Sequence, residues 1–173
     1  YMALVPEKIK FQYVTGEIHH VFGKAYPLQV LLGPRDEAGI SSGGELQLIL
    51  RTEQSEREAI FKEGMKRILL LEIVQCLKTW TKRMEIPESR ITGVTIRVMK
   101  SRWGSCRRVT GRFSFALDLV TKPKECIEAV VVHELCHLFA AGHGADFYAL
   151  MEKYLPDYKE RDRLLSSLPR ELV

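Results

Sequence analysis

The chain has 173 residues, 46% hydrophobic and 28% charged, with 26 basic against 22 acidic side chains for a net charge of +4. That is enough apolar material for one compact domain with a real core, and a charge excess too small to demand a nucleic-acid partner. No apolar run reaches the roughly 18 residues of a transmembrane helix, and Tyr1-Met2-Ala3 lacks the basic-then-apolar pattern of a signal peptide, so a cytoplasmic setting is expected.

In chain order, Ile9 to Val14, Ile18 to Phe22 and Tyr26 to Leu32 are rich in aromatic and β-branched residues between glycine-bearing breaks, which predicts a meander of short antiparallel strands. Residues 33–39 carry two glycines and a proline and read as a loop; Leu46 to Leu50 is one more strand. Residues 55–84 predict a long helix, with Ile60, Met65, Ile68, Leu69, Leu71, Ile73, Val74, Leu77 and Trp80 on a broad apolar face. Gly64 is a weak point within it, and Pro87 marks its end. Thr95 to Met99 and Phe113 to Leu117 alternate in polarity and predict a hairpin-like pair, joined by an excursion that carries Trp103-Gly104-Ser105-Cys106. Lys122-Pro123 opens the next helix, since proline suits a first turn. Phe147, Leu150, Met151 and Tyr154 then mark a helix over 145–154, Pro156 breaks it, and Asp157 is the expected N-cap of a last helix over 158–167.

The helix after Pro123 holds the chemistry: Val130-Val131-Val132-His133-Glu134-Leu135-Cys136-His137. Residues i and i+4 of a helix lie on one face, about 6 Å apart along the axis, so His133 and His137 can aim two imidazoles at one point. Glu134, about 100° round the helix, reaches the rim of that point without competing as a ligand. Two histidines and a carboxylate suit a catalytic zinc once a third ligand arrives. The glycines of Ala140-Ala141-Gly142-His143-Gly144 permit a sharp turn that returns His143 as that ligand; Asp146 and Glu152 are the nearest alternatives. A fourth position would remain for water, activated by zinc, with Glu134 as general base. His19 and His20 read as packed or surface residues. Cys76, Cys106, Cys126 and Cys136 contain no C-x-x-C pair and read as reduced, largely buried thiols.

The runs Ser101-Arg102-Trp103-Gly104-Ser105-Cys106, Val131 to Leu138, His143-Gly144-Ala145-Asp146-Phe147-Tyr148 and Leu155-Pro156-Asp157-Tyr158 resemble the YgjP-like (DUF45) metallopeptidase domain, a family related to the WLM and SprT-like zinc proteases. The resemblance implies one zinc per chain held by His133, His137 and His143, with Glu134 catalytic. It implies an α+β, minimal zincin-like fold: an N-terminal antiparallel β meander, a long helix, a β hairpin region and the HExxH helix. The expected organisation is one domain over 1–173, with a β-rich part over 1–53 and a zincin-like catalytic part over 54–173. Family members often carry Asn where this chain has Ala116, so no Asn role is carried over.

The function this implies is a zinc-dependent metallopeptidase acting on a peptide or protein substrate, with part of residues 111–118 as the sheet edge that pairs with an extended substrate. The alternative is a DNA-associated module, or a protease acting on DNA-bound proteins, using the basic strip of Lys100, Arg102, Arg107, Arg108 and Arg112 beside Trp103. No membrane partner is expected. Trp103 either packs on the core or lines the cleft, and Tyr148, Tyr154 and Tyr158 are candidate donors to a developing oxyanion.

Overall fold

A computed structural model describes residues 10–172. Among the described residues, two small sheets and four α-helices make up an α+β fold. The first sheet contains β1 (Ile18–Val21), β2 (Lys24–Leu32), β3 (Glu37–Ile40) and β4 (Leu46–Leu50), in the order β1-β2-β4-β3. β1 and β2 pair antiparallel around Phe22-Gly23, whose φ angles of 51° and 80° are those of a tight two-residue hairpin turn. β2 and β4, however, run parallel, and β3 closes the edge antiparallel to β4.

The sheet is therefore mixed, not the expected antiparallel meander, because residues 37–40 form a strand where composition reads as a loop. The reason lies in the helix above. α1 (Arg57–Arg83) crosses β3 so closely that a Cβ on Gly64 would stand 2.3 Å from the Ala38 carbonyl oxygen. Ala38 and Gly39 carry too little side chain to look like a strand, and Gly64 looks like a flaw in a helix. Gly64 is small because Ala38 approaches it, its Cβ as well as its carbonyl. The expected strand over 9–14 also fails among its described residues: from 10 to 14 the chain is irregular. Tyr13 has φ 55°, and the Glu17 carboxylate takes the N–H groups of Gln12 and Tyr13.

α1 buries Phe61, Met65, Leu69, Ile73, Leu77 and Trp80, a stripe with helical spacing. Each such side chain removed from water contributes about 1.5–3 kcal/mol. The second sheet contains β5 (Gly93–Arg97), β6 (Gly104–Arg107) and β7 (Arg112–Ala116), in the order β5-β7-β6. β6 and β7 form an antiparallel hairpin, and β5 lies parallel to β7. β7 is thus the centre of the sheet with both edges taken, which removes residues 111–118 as an edge for substrate; the outer strand beside the next helix is β6.

That helix is α2 (Lys124–Cys136), with Pro123 at its N-cap. It is buried on nearly every side, among α1, β6, α3 (Ala145–Tyr154) and α4 (Tyr158–Ser167). Glu128 fastens it to two neighbours, accepting Trp80 Nε1–H from α1 at 3.1 Å and Arg161 Nη1 from α4 at 2.6 Å. Asp157 occupies the expected N-cap position, but its carboxylate binds Arg161 Nε at 3.1 Å in place of the backbone.

Beyond α4 the chain crosses back as a strap. Lys122 and Asp118, both buried, hold it: the Lys122 ammonium donates to the Pro169 carbonyl, and Asp118 Oδ1 accepts the Leu172 N–H at 2.6 Å. Arg170 donates to the carbonyls of Met99 and Arg102 at 2.8 and 2.9 Å, and its guanidinium carbon lies 3.7 Å from the centre of the Trp103 ring. Among the described residues, no helix is long and apolar enough to cross a membrane.

Candidate metal centre

His133 and His137 project from the last turns of α2. The helix stops at Cys136, and successive turns through Phe139 and Ala140 reverse the chain. Neither Gly142 nor Gly144 has a left-handed φ or a neighbour that a Cβ would meet, so the reversal does not rest on glycine as expected, and Gly144 enters α3 in an extended conformation. His143 returns on this reversal. Its Nε2 lies 3.1 Å from His133 Nε2 and 3.2 Å from His137 Nε2. Nitrogens bound to one tetrahedral zinc are about 3.3 Å apart, so His143 stands at nearly that spacing from each of the other two imidazoles, and the ligand atoms of all three lie within 4.8 Å of one another.

These three are the group among the described residues whose ligand atoms could together hold a metal ion. Asp146 and Glu152, the alternative third ligands, lie on α3 outside it. His137 Nδ1–H donates to the Ala140 carbonyl at 3.0 Å, which fixes the tautomer and leaves Nε2 free as a ligand. Burial and the neighbouring imidazoles push the His133 pKa down to about 4, and burial also lowers that of His137, so both rings are neutral and ligand-ready at pH 7.

Phe147 is the residue that inspection of the chain places only on an apolar helix face. It is fully buried and lies under all three histidines, with ring centres 4.7, 4.6 and 4.9 Å from His133, His137 and His143. It sits in the first turn of α3, directly after the reversal that returns His143, and no spacing in the sequence marks it.

Glu134 faces a cleft of about 620 Å³ that also exposes the three histidines. Burial pushes its carboxyl pKa up to about 7, partly offset by the charge of Arg102. The opposite wall is β6 and the segment before it, Arg102 to Cys106, with Asp162 and Leu165 of α4 at one end. Trp103 does both things allowed for it: it packs on the core and lines the cleft. Tyr148, Tyr154 and Tyr158 are not among the residues that line the cleft. Ala116 is fully buried, its N–H bonded to the Trp103 carbonyl at 2.9 Å.

The remaining histidines are elsewhere. His19 is buried among Phe11, Tyr13 and Phe61 and donates to Glu17 at 2.6 Å; His20 pairs with Glu171 at 3.1 Å. All four cysteines are free, and burial pushes each thiol pKa up, to about 12 at Cys76 and Cys136 and about 11 at Cys106. Such thiols are inert.

A mixed α+β fold that sets a helix-borne His-Glu-x-x-His pair, a third imidazole and a buried carboxylate on one cleft defines the class of metal-dependent hydrolases. Within it, the family model for the YgjP-like metallopeptidase domain matches residues 2–168, and the chain belongs to that family. The protein is thus a metallopeptidase, and the family implies a divalent metal. Among solved structures it is similar to the metallopeptidase zymogen abylysin of Pyrococcus abyssi, at 23% identity over 58% of this chain and 99% of that one, with a TM-score of 0.49. It is likewise similar to the zymogen jannalysin of Methanocaldococcus jannaschii, at 21% identity over 57% and 91%, with a TM-score of 0.49. The search of curated proteins returned no match.

Proposed function

We propose that the protein is a zinc peptidase in which His133, His137 and His143 hold the metal and Glu134 is the general base. The observation that carries this reading is the convergence of three imidazoles, with His143 Nε2 at 3.1 and 3.2 Å from those of His133 and His137, on a cleft that Glu134 shares. When bound, zinc supplies a Lewis acid that polarises a carbonyl and lowers the pKa of water. The chain's own residues do the rest. Glu134 takes a proton from the attacking water on a carboxylate oxygen and returns it to the leaving amine. The outer edge of β6 offers its backbone to an extended substrate, aligning the scissile bond along α2. The cytoplasm is the proposed setting, supported by four free thiols held protonated by burial.

The test is metal analysis followed by an unbiased cleavage assay of wild type against Glu134→Gln, with and without DNA. The expected outcome is about one zinc per chain in both proteins and cleavage by wild type alone. Protein carefully prepared yet free of metal, or an active Glu134→Gln, would sink the assignment. Cleavage that appears only when DNA is added would make nucleic acid a partner.

A further inference from the structure

The positive charge of this protein is segregated. Residues 89–117 contain seven basic side chains and no acidic one, while the remainder has 19 basic against 22 acidic. That span is the second sheet and its loops. Strand alternation sorts it further. Phe113, Phe115 and Ile96 point into the core, and Thr95, Arg97, Ser105, Arg107, Arg112 and Ser114 share the opposite face.

Register lays that face out. Thr95, Ser114 and Ser105 form a row of hydroxyls straight across the three strands. Arg112 and Arg107 are direct neighbours on one side of the row, and Arg97 lies on the other. Four residues of strand separate the Arg112 and Arg97 levels, about 13 Å. Among the described residues, none of these three arginines has a carboxylate within salt-bridge distance. Exposed arginines left unpaired on a sheet face keep their forked donors for an outside partner.

The face is continuous with the cleft. The catalytic cleft and a neighbouring groove of about 490 Å³ share Arg102, Ser105 and Cys106; that groove and the hydroxyl-lined depression of about 400 Å³ on the sheet face share Arg97, Ser105 and Arg107. A polypeptide leaving the cleft around β6 runs onto the arginines. We infer that this sheet face is a second binding site for the substrate, which takes an acidic segment flanking the scissile bond, with carboxylates about four residues apart. The inference rests on the peptidase reading for its substrate, and selects acidic-flanked proteins within it. A peptide suits the face better than nucleic acid does, because no aromatic ring points from it to stack a base and because it begins where the peptidase cleft ends.

The experiment uses two labelled peptides with one central sequence, flanked by Glu or by Gln, bound to zinc-loaded Glu134→Gln protein and followed by fluorescence anisotropy. The Glu-flanked peptide is expected to bind about tenfold more tightly, with an advantage that shrinks as salt is raised. Arg97→Gln combined with Arg112→Gln should collapse that ratio towards one. The salt dependence of wild type supplies the same reading should the variant fold poorly. Tighter binding of the acidic peptide with neither peptide cut by wild type supports this site and removes the peptidase reading. Both peptides cut and bound equally overturns the site and leaves the peptidase reading standing. A single-stranded oligonucleotide that binds more tightly and is not displaced by the Glu-flanked peptide also overturns it.

Discussion

Gly104 and Glu134 are in contact: a Cβ at position 104 would stand 3.1 Å from Glu134 Cγ and 3.3 Å from its Oε1. The glycine of the Trp-Gly-Ser-Cys segment is therefore the space in which the carboxylate lies. Gly104→Ala is expected to shift that carboxylate by a few tenths of an ångström and lower kcat by about tenfold or more, with zinc content unchanged. Single-turnover cleavage beside metal analysis reads both. Unchanged kcat would show that the carboxylate tolerates the shift.

Phe147 supports the three imidazoles from below. Groups behind metal ligands typically cost 10–100-fold in affinity when altered. Phe147→Leu, which keeps the apolar volume but loses the ring, is expected to weaken zinc binding by about tenfold. Competition with a chelator measures it. Undiminished affinity would reduce Phe147 to a core residue.

Arg170 joins the strap to the segment that leads into β6. Its two carbonyl bonds and its stacking on Trp103 need the planar fork of arginine. Arg170→Ala is expected to cost about 1–3 kcal/mol of stability and raise KM more than it lowers kcat. Arg170→Lys should behave like the alanine variant, since a point charge cannot reach both carbonyls. Full rescue by lysine would point to charge alone.

His19 makes folding sensitive to acid. Burial pulls its pKa below the ordinary value near 6.5, against the raising influence of Glu17. The unfolded chain therefore binds the proton more readily, and the stability that neutral His19 contributes is fully present above about pH 6.5 and lost as pH falls towards the folded pKa. In metal-free protein, urea unfolding between pH 7 and 5 is expected to show a shallower loss for His19→Gln than for wild type. His133 and His137 are common to both proteins and cancel. Equal slopes would clear His19 of the effect.

The clustering of the three histidines was legible because it is local. His133, Glu134 and His137 are placed by helical spacing alone, and His143 by a short reversal. The long helices were legible for the same reason, as in the stripe from Phe61 to Trp80. What sequence concealed depends on distant contacts. β3 is a strand because α1 leaves room at Gly64 for Ala38, and the parallel pairing of β2 with β4 follows from β3. β7 reads as well as β6 for an edge until β5 is seen to occupy its other side. Arg170 and Met99 are 71 positions apart, and no periodicity connects them. Gly104 looks like a turn residue until Glu134 is placed beneath it.

The strap has a consequence for the order in which the molecule becomes competent. The helix bearing His133, Glu134 and His137 is synthesised well before Arg170 and Leu172, which fasten the wall it faces. In the order of synthesis His133, Glu134 and His137 thus precede the residue whose two carbonyl bonds and ring stacking tether the approach to β6.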